Sequence, residues 1–432
     1  MGSDRSGNDN LYAFAADRLR DLEAVGRLRS LRVVEGAQGA WVRLDGREVL
    51  LLCSNNYLGL AGHPRLAEAA SEAARRFGCG AGASRLISGT MTMHQRLERR
   101  LADFFGYPEA LLFNSGYAAN VGVISSLVGA GDIVFSDALN HASIIDGCRL
   151  SRAEIRVYPH RDTEALRGLL EKDRGAGRRR LIVTDSLFSM DGDLAPLAEL
   201  VEQARRYGCL LMADEAHAVG ILGKKGKGAA EMAGIDRGID VLVGTMGKAL
   251  GSFGAFVVCA PVIKEYLIHH ARSFVFSTAL PPPVLAAALA ALDIVEQEPG
   301  RRAHVAGLAH LFRKGLCRVA ARHGRLGTDA ESGGPALHIQ GLVLGDDRVA
   351  SAFSQGLLER GVYAQAIRPP TVPVGTARVR FSLTAAHTRR DVEYALGAIE
   401  DTLQELCGTY PEAMRSLGVV PSAGREGREE RR

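Results

Sequence analysis

The stretch "LLMADEAHAVG" (Leu210–Gly220) decides the fold, because a short apolar run ends there on Asp214 and a turn follows at once. A second stretch, "DVLVGTMGKALG" (Asp240–Gly251), repeats this pattern and places Lys248 among glycines and small residues. Short apolar runs bounded by turn residues are typical of buried strands. We therefore expect two strands that carry Asp214 and Lys248 at or just beyond their carboxyl ends.

More apolar runs precede these two, and helix-like segments separate them along the chain. The runs are Glu109–Asn114, Asp132–Asp137, Glu154–Pro159 and Leu181–Asp185. This alternation predicts an α/β domain whose central sheet is mainly parallel and flanked by helices. Ligands of such sheets bind outside the carboxyl ends of the strands. The polar residues that we expect to converge there are Asn114, Ser115, Asp185, Asp214, Thr245 and Lys248.

The last third of the chain has a different hydrophobic pattern, because long helical segments predominate after Pro283. The final helix is predicted over Thr388–Cys407, since Thr388 and Asp391 form a capping box and Gly408 follows as a stop signal. We predict an N-terminal segment over residues 1–55, a large domain over 56–297, a smaller α+β C-terminal domain over 298–411 and a disordered charged tail over 412–432.

Composition narrows the possible partners. The 432 residues include 53 Lys and Arg against 49 Asp and Glu, and these charges are interspersed, which gives no sign of a nucleic-acid or membrane partner. The N-terminus lacks an apolar signal core, and the longest apolar run, Val284–Leu292, is too short to span a bilayer. Seven scattered cysteines, with no metal-binding spacing, predict free thiols in the cytoplasm.

Some stretches of the sequence resemble nucleotide-binding motifs only superficially. The glycine-rich stretch Phe77–Gly89 follows no strand-like run, and "GTMGKA" has the wrong glycine spacing for a phosphate-binding loop. Ala249 also stands where such a loop needs Ser or Thr. Without that loop, "DEAH" (Asp214–His217) does not indicate a helicase, and a nucleotide-dependent oxidoreductase is disfavoured as well.

The side chains at the strand ends suit a different cofactor. Lys248 is either a solvated loop residue or a partly desolvated amine that forms a Schiff base with an aldehyde. Asp214 either caps a helix or pairs with a protonated pyridine nitrogen. His141, Ser189 and His217 could contact the same ring, and residues 114–117 offer a phosphate seat at a helix start. Together they predict a site for pyridoxal 5′-phosphate (PLP).

Ordered motifs over nearly the whole chain, from Leu28 to Leu406, resemble the α-oxoamine synthases, PLP enzymes of fold type I. The motifs are "SNNYLGL", "GAGASRLISGT", "FNSGYAAN", "NHASI", "SLFSMDGD", "ADEAHAVG", "GTMGKALG", "FSTALPP" and "IRPPTVPVGTARVRFSLTAAHT". The resemblance implies that Lys248 carries the cofactor, that Asp214 pairs with its ring nitrogen and that His141 stacks on the ring.

The resemblance also implies the remaining contacts. For the cofactor they are Ser115, Gly116, Tyr117, Asp185, Ser189, His217, Thr245, Ser277 and Thr278. Ser277 and Thr278 are expected to reach the site of a neighbouring subunit in a homodimer with shared active sites. For the substrates the implied contacts are Arg29, Asn55, Arg368 and Thr371. For Arg29, a solvated helix arginine remains an alternative interpretation.

Enzymes of this family condense an amino acid with an acyl thioester and release CO2. The segment Ile367–Thr388 most resembles members that join L-alanine to a pimeloyl thioester, carried by coenzyme A or an acyl carrier protein, in biotin biosynthesis. Asp185 departs from them, because Glu is usual there and Asp is common in glycine-using 2-amino-3-ketobutyrate ligases. A serine palmitoyltransferase-like or natural-product condensing enzyme also remains open. A non-catalytic subunit is disfavoured, since Lys248 and His141 are retained.

Overall fold

A computed structural model of the chain describes residues 12–173, 178–235, 237–323 and 334–416. The helices are α1 (Ala13–Ala24), α2 (Pro64–Phe77), α3 (Thr92–Phe105), α4 (Gly116–Leu127), α5 (Ala142–Ser151), α6 (Thr163–Lys172), α7 (Leu197–Tyr207), α8 (Ala229–Met232), α9 (Pro261–His270), α10 (Arg272–Val275), α11 (Pro282–Gln297), α12 (Pro299–His323), α13 (Asp347–Glu359), α14 (Arg389–Thr409) and α15 (Pro411–Ser416), with a π-helical turn at Arg85–Gly89.

The strands are β1 (Val34–Glu35), β2 (Trp41–Leu44), β3 (Arg47–Leu51), β4 (Glu109–Phe113), β5 (Ile133–Asp137), β6 (Glu154–Tyr158), β7 (Arg180–Asp185), β8 (Leu210–Asp214), β9 (Val241–Thr245), β10 (Ala255–Cys259), β11 (Ile339–Gly345), β12 (Val362–Tyr363), β13 (Gln365–Ile367) and β14 (Ala377–Ser382).

The described residues fall into two compact units. The terminal unit comprises Met1–Cys53, Leu308–Leu383 and His387–Arg432, as far as these ranges are described, and the central unit comprises Ser54–Gly307 and Thr384–Ala386. The N-terminal residues join the terminal unit because β12 pairs in parallel with β3. The division at 55/56 and 297/298 stays a prediction.

The central unit is built on a seven-stranded sheet in the order β4-β10-β9-β8-β7-β5-β6. Five of its strands, β9, β8, β7, β5 and β6, run parallel to one another, which confirms the predicted mainly parallel sheet. The six strands expected from the sequence are present within one residue at each end. Strands β5 and β9 are buried along their whole length and β8 at all but its first residue, as expected for a sheet flanked by helices.

One strand of this sheet, β10, was not predicted. It pairs antiparallel with both β4 and β9, and a short glycine-containing turn connects it to β9. Only an antiparallel neighbour can follow so short a connection, since a parallel one needs a crossover of a dozen or more residues. A search for alternating strands and crossover helices therefore overlooks it.

Helix α4 packs against the central sheet. Val123 and Ile124 are fully buried in one apolar cluster with Val183 of β7 and Val243 of β9. Burying an aliphatic side chain of this size contributes about 1.5–3 kcal/mol. The helix is thus held so that its N-terminal turn meets the carboxyl edge of the sheet.

The terminal unit contains two smaller sheets, β1-β2-β3-β12 and β11-β14-β13. The sheet β11-β14-β13 confirms the predicted smaller C-terminal α+β structure. The apolar core of the terminal unit contains three fully buried aromatic residues, Phe312, Phe353 and Phe381. In α14 the Thr388–Asp391 capping box is present, but the helix continues past Gly408 to Thr409, so the predicted stop is wrong.

The last described residues of the chain belong to the terminal unit. Residues 412–416 of the predicted tail lie in α15, where Met414 is buried in the core of the terminal unit, and residues 417–432 lie outside the described part.

None of the helices in the described ranges has the length and hydropathy that a bilayer crossing requires.

Candidate active site

A chain of hydrogen bonds leads from Lys248 into the central unit. Lys248 Nζ lies 2.8 Å from His217 Nε2, and His217 Nδ1 lies 2.7 Å from the Tyr57 hydroxyl. That hydroxyl donates to Asn55 Oδ1 at 3.0 Å. Because the hydroxyl has one proton, it accepts from His217 Nδ1–H, and Nε2 then accepts from the Lys248 amine. The fully buried Tyr57 thereby sets the tautomer of His217.

Asp214 ends β8 with its carboxylate buried. One oxygen accepts from the side-chain amide of Asn120 at 2.6 Å, and the other accepts from the backbone N–H of Ala216 at 2.8 Å. Both donors are neutral. With one donor on each oxygen, the two hydrogen bonds fix the orientation of the carboxylate at the carboxyl edge of the sheet.

His141 precedes α5 and caps it. Its Nδ1 accepts from the backbone N–H of Ser143 at 3.3 Å and lies 2.7 Å from the Ser143 hydroxyl, and its own backbone N–H donates to Asp185 Oδ2 at 2.7 Å. Partial burial lowers the pKa of the His141 ring and the charge of Lys248 adds to this, while Asp214 opposes both. At neutral pH the ring is therefore mainly uncharged.

Asp185 lies beside Asp214, since the two are register partners in β7 and β8. Burial, and then the neighbouring charge of Asp214, raise the pKa of Asp185 well above its usual range. Two close carboxylates ionise together only at a high cost. This arrangement therefore favours the protonated form of Asp185.

Glu215, the next residue along, has a structural role. Its buried carboxylate accepts from Ser186 and from the backbone N–H groups of Ala229 and Ala230, each at 2.8 Å. Gly228 must precede them, because its φ is +126° and a Cβ there would lie 2.5 Å from Glu215 Oε2. Burial raises the pKa of Glu215.

The first turn of α4 lies at the same edge. The Ser115 hydroxyl accepts from the backbone N–H of Ala118 at 3.1 Å and so caps the helix, and Gly116 is its first residue. Open space surrounds the position that a Cβ of Gly116 would take. Tyr117 is half-exposed, and its hydroxyl donates to Asp146 at 2.6 Å. Free backbone donors at a helix start suit a phosphate group.

Three more predicted residues lie on loops of the central unit. Thr245 ends β9, where its hydroxyl donates to the Gly254 carbonyl at 3.1 Å and accepts from the Gly247 N–H. Ser189 is half-buried in the turn after β7. Thr278 accepts at its carbonyl from the side chain of Asn114 at 2.8 Å.

Ser277 precedes Thr278 and lines the same small cavity as the Arg85 and His94 side chains. Its role toward a neighbouring subunit stays a prediction, as do the individual roles of the other predicted site residues.

Arg29, Arg368 and Thr371 belong to the terminal unit, where they line one cleft of about 510 Å³. The Arg368 guanidinium donates to the backbone carbonyls of Gly26 and Leu28. Burial lowers the pKa of Arg368, and the charge of Arg29 adds to this. The cleft gathers positive charge, which suits a substrate anion.

The analysis of the sequence missed the residues that connect the predicted ones. Tyr57, Asn120 and Ser143 each lie inside a motif quoted above, but strand-end reasoning assigned them nothing. One signal was available: Asn120 is a polar residue amid the apolar positions of α4, and it is almost fully buried. A buried amide requires hydrogen-bond partners.

The central unit fits PLP by the chemistry of its side chains. A half-buried lysine amine, held by a hydrogen bond to His217 Nε2, suits a carbonyl group. A buried carboxylate with neutral donors suits a protonated ring nitrogen, and the open space at Gly116 suits a phosphate. Asp214, Lys248 and Gly116 are therefore the residues that would hold the ring, the carbonyl and the phosphate.

Comparisons with known proteins agree with this chemistry. The family model described as aminotransferase class I and II matches residues 47–399. A relative from Geobacter sulfurreducens named 8-amino-7-oxononanoate synthase is 54% identical over 393 residues, which cover 90% of this chain and 98% of the relative.

Solved structures give the same result. A serine palmitoyltransferase variant from S. paucimobilis with a bound PLP–myriocin aldimine has a TM-score of 0.85 at 31% identity, over 92% of this chain and 98% of that one. 8-Amino-7-oxononanoate synthase from Francisella tularensis has a TM-score of 0.70 at 30% identity, over 83% and 98%. The chain therefore belongs to the aminotransferase class I and II family, as an enzyme of its acyl-transferring α-oxoamine synthase branch with PLP as cofactor.

Proposed function

We propose that the protein condenses L-alanine with a pimeloyl thioester, releases CO2 and the thiol, and forms 8-amino-7-oxononanoate for biotin biosynthesis. The observation that carries the chemistry is the contact of Lys248 Nζ with His217 Nε2 in the unit that also buries Asp214. The relatives that bear the name of this synthase support the choice of substrates.

The bound cofactor supplies an electron-poor ring that takes up negative charge from the amino-acid Cα. Asp214 holds a proton on the ring nitrogen, because an adjacent carboxylate favours the protonated nitrogen. Lys248 Nζ removes the Cα proton and later returns it. His217 Nε2 accepts an N–H of Lys248 and so orients the amine lone pair.

His141 acts on the open side of the site. Its pKa is lowered, so the ring is mainly uncharged and can donate a hydrogen bond from Nε2 to the thioester carbonyl as the new bond forms. Its Nδ1 is fixed by Ser143. In this proposal Asp185, Ser189 and Thr245 orient the cofactor.

Arg368 and Arg29 bind substrate carboxylates in the proposal, with Thr371 beside Arg368 and with Asn55 at the amino acid. The cationic cleft of the terminal unit supports this assignment. Guanidinium groups recognise carboxylates with two parallel hydrogen bonds.

We also propose a cytoplasmic homodimer with shared active sites. All seven cysteines are free thiols, which favours a reducing compartment. Ile87 and Phe276 are large apolar side chains with exposed fractions of 81% and 71%, and Phe276 directly precedes Ser277. A second subunit would cover this surface. Light scattering of the purified protein should give twice the chain mass.

A substrate comparison tests the proposed reaction. The PLP-loaded protein is incubated with a pimeloyl thioester of coenzyme A or of an acyl carrier protein, together with L-alanine, glycine or L-serine, and the product mass is measured. We expect 8-amino-7-oxononanoate from alanine, with much slower turnover of glycine and serine. Preference for glycine or serine, or for another acyl chain, would assign a different reaction of the same branch.

A further inference from the structure

Asn120 connects the groups proposed to act on the cofactor. It lies in the first half of α4 with an exposed fraction of 1%. Its side-chain nitrogen donates to Asp214 Oδ2 at 2.6 Å and to the Ser143 hydroxyl at 2.9 Å. The Ser143 hydroxyl in turn lies 2.7 Å from His141 Nδ1. One amide thus reaches both Asp214 and, through Ser143, His141.

The orientation of this amide follows from charge. Turning it over would direct its oxygen at the Asp214 carboxylate, and two acceptors at 2.6 Å repel each other. Both N–H groups of Asn120 are therefore used, and within the described part of the chain its Oδ1 has no hydrogen-bond partner. Leaving a buried acceptor unsatisfied costs free energy, which the two bonds from the nitrogen offset.

We infer that Asn120 is a positioning residue, which holds the Asp214 carboxylate in a fixed orientation and which sets the ring orientation of His141 through Ser143. This inference rests on the proposed function, because Asn120 acts through the cofactor contacts that are proposed for Asp214 and His141. Neither residue needs Asn120 for packing alone, since both side chains end at the edge of the sheet.

The charges around Asp214 explain why a neutral donor stands there. The acidic neighbours are Asp185 on β7, its register partner, and Glu215, the next residue in the chain. The basic groups that act on the same cluster are His141, Lys248 and, bound to Lys248, His217. The amide of Asn120 satisfies an oxygen of Asp214 without adding a further charge to this cluster of acidic and basic groups.

Two nearly isosteric variants separate this role from packing. Asn120→Leu removes the donor, so the Asp214 carboxylate is no longer held in its orientation, and the ratio of variant to wild-type PLP dissociation constants should exceed one by the same factor at every pH. Asn120→Asp behaves differently. Its carboxyl group donates to Asp214 when protonated and repels it when ionised, so the ratio should rise with pH and approach one at low pH.

The measurement is equilibrium binding of PLP from pH 6 to pH 9, read as the ratio at each pH, so that titration of PLP itself cancels. We expect about a ten-fold ratio for Asn120→Leu at every pH and for Asn120→Asp at pH 9, the effect of losing one buried hydrogen bond. Ser143→Ala should leave the PLP ratio without a pH trend while changing the imidazole NMR signals of His141 in the cofactor-free protein. Ser126→Ala, another buried polar change on α4, serves as the folding control.

A loss of PLP affinity that is independent of pH in Asn120→Leu, together with a loss that grows with pH in Asn120→Asp, would establish the positioning role. Wild-type binding in both variants, or the same pH-independent loss in both, would overturn it. If the leucine variant does not fold, the trend of the aspartate variant decides alone, because its protonated form retains the donor. A wild-type chain that binds PLP but fails the substrate comparison contradicts the proposed function only.

Discussion

Lys248 makes a contact that the sequence could not show, the 2.8 Å approach of its Nζ to His217 Nε2. The small residues around it leave the amine half-buried at the edge of the sheet. An amine in such a place reacts with carbonyl groups more readily than a solvated lysine does.

We predict that Lys248→Ala abolishes covalent trapping of PLP by borohydride and lowers kcat by at least about 10³-fold, as expected when a covalent and proton-transferring group is lost. Intact-protein mass and turnover are the measurements. Lys264→Ala is the matched control, since Lys264 Nζ pairs with Glu109 at 2.7 Å on α9. Trapping in the Lys248 variant equal to that of the wild type would contradict the assignment.

His160 links two elements that carry site residues. Its Nδ1 lies 2.9 Å from Asp137 at the end of β5, and its Nε2 lies 3.0 Å from Asp193 in the turn after β7 that contains Ser189. Burial disfavours the charged ring, but the hydrogen bonds to the two carboxylates outweigh this and raise the pKa of His160 to about 9. Below that pH the histidine is a cation between two anions.

The raised pKa predicts a pH dependence of stability with a definite sign. A group whose folded pKa exceeds its unfolded value of 6.5 contributes stability that is complete below pH 6.5 and is lost as the pH rises through about 9. We expect His160→Gln to lower the free energy of unfolding at pH 6 by up to about 3 kcal/mol and to have little effect at pH 10. Denaturant titrations at both pH values measure this, with the exposed His310→Gln as control. An equal loss at both pH values would refute the charged bridge.

At the scale of the whole molecule, each unit has its own apolar core. Phe353 is fully buried in the core of the terminal unit, which also contains Trp41, the only tryptophan of the chain. Trp41 donates from Nε1 to Asp391 at 2.8 Å within that unit. Its fluorescence therefore reports on the unit in which Phe353 lies.

We predict that Phe353→Ala lowers the free energy of unfolding monitored by Trp41 by about 3–5 kcal/mol, the cost of removing a buried aromatic ring and leaving a cavity. Phe14→Ala is the control, because Phe14 of α1 is 75% exposed and its loss should change stability by less than about 0.5 kcal/mol. Similar effects of the two substitutions would show that Phe353 is not a core residue.

Much of the fold was predictable from local pattern. The alternation of apolar runs and helical segments predicted six strands of the central sheet, and the Thr388–Asp391 pair predicted the start of α14. Strand β10 was not predictable in this way, because it returns through a short turn. Gly408 did not end α14, because a glycine inside a helix costs only about 1 kcal/mol and packing of Leu406 and Cys407 offsets that cost.

The sequence by itself determined which chemical groups stand at the carboxyl ends of the strands, because strand ends and turns follow from hydrophobic periodicity over a few residues. It also determined the family, through ordered motifs that resemble those of the α-oxoamine synthases. Only the tertiary structure decided which of these groups touch: that Tyr57 sets the tautomer of His217, that Asp185 lies beside Asp214, and that Asn120 donates to Asp214. The physical reason is that hydrogen bonds and charge interactions act over a few ångströms in space, and residues 94 or 160 positions apart in sequence meet only when the sheet and its helices have packed.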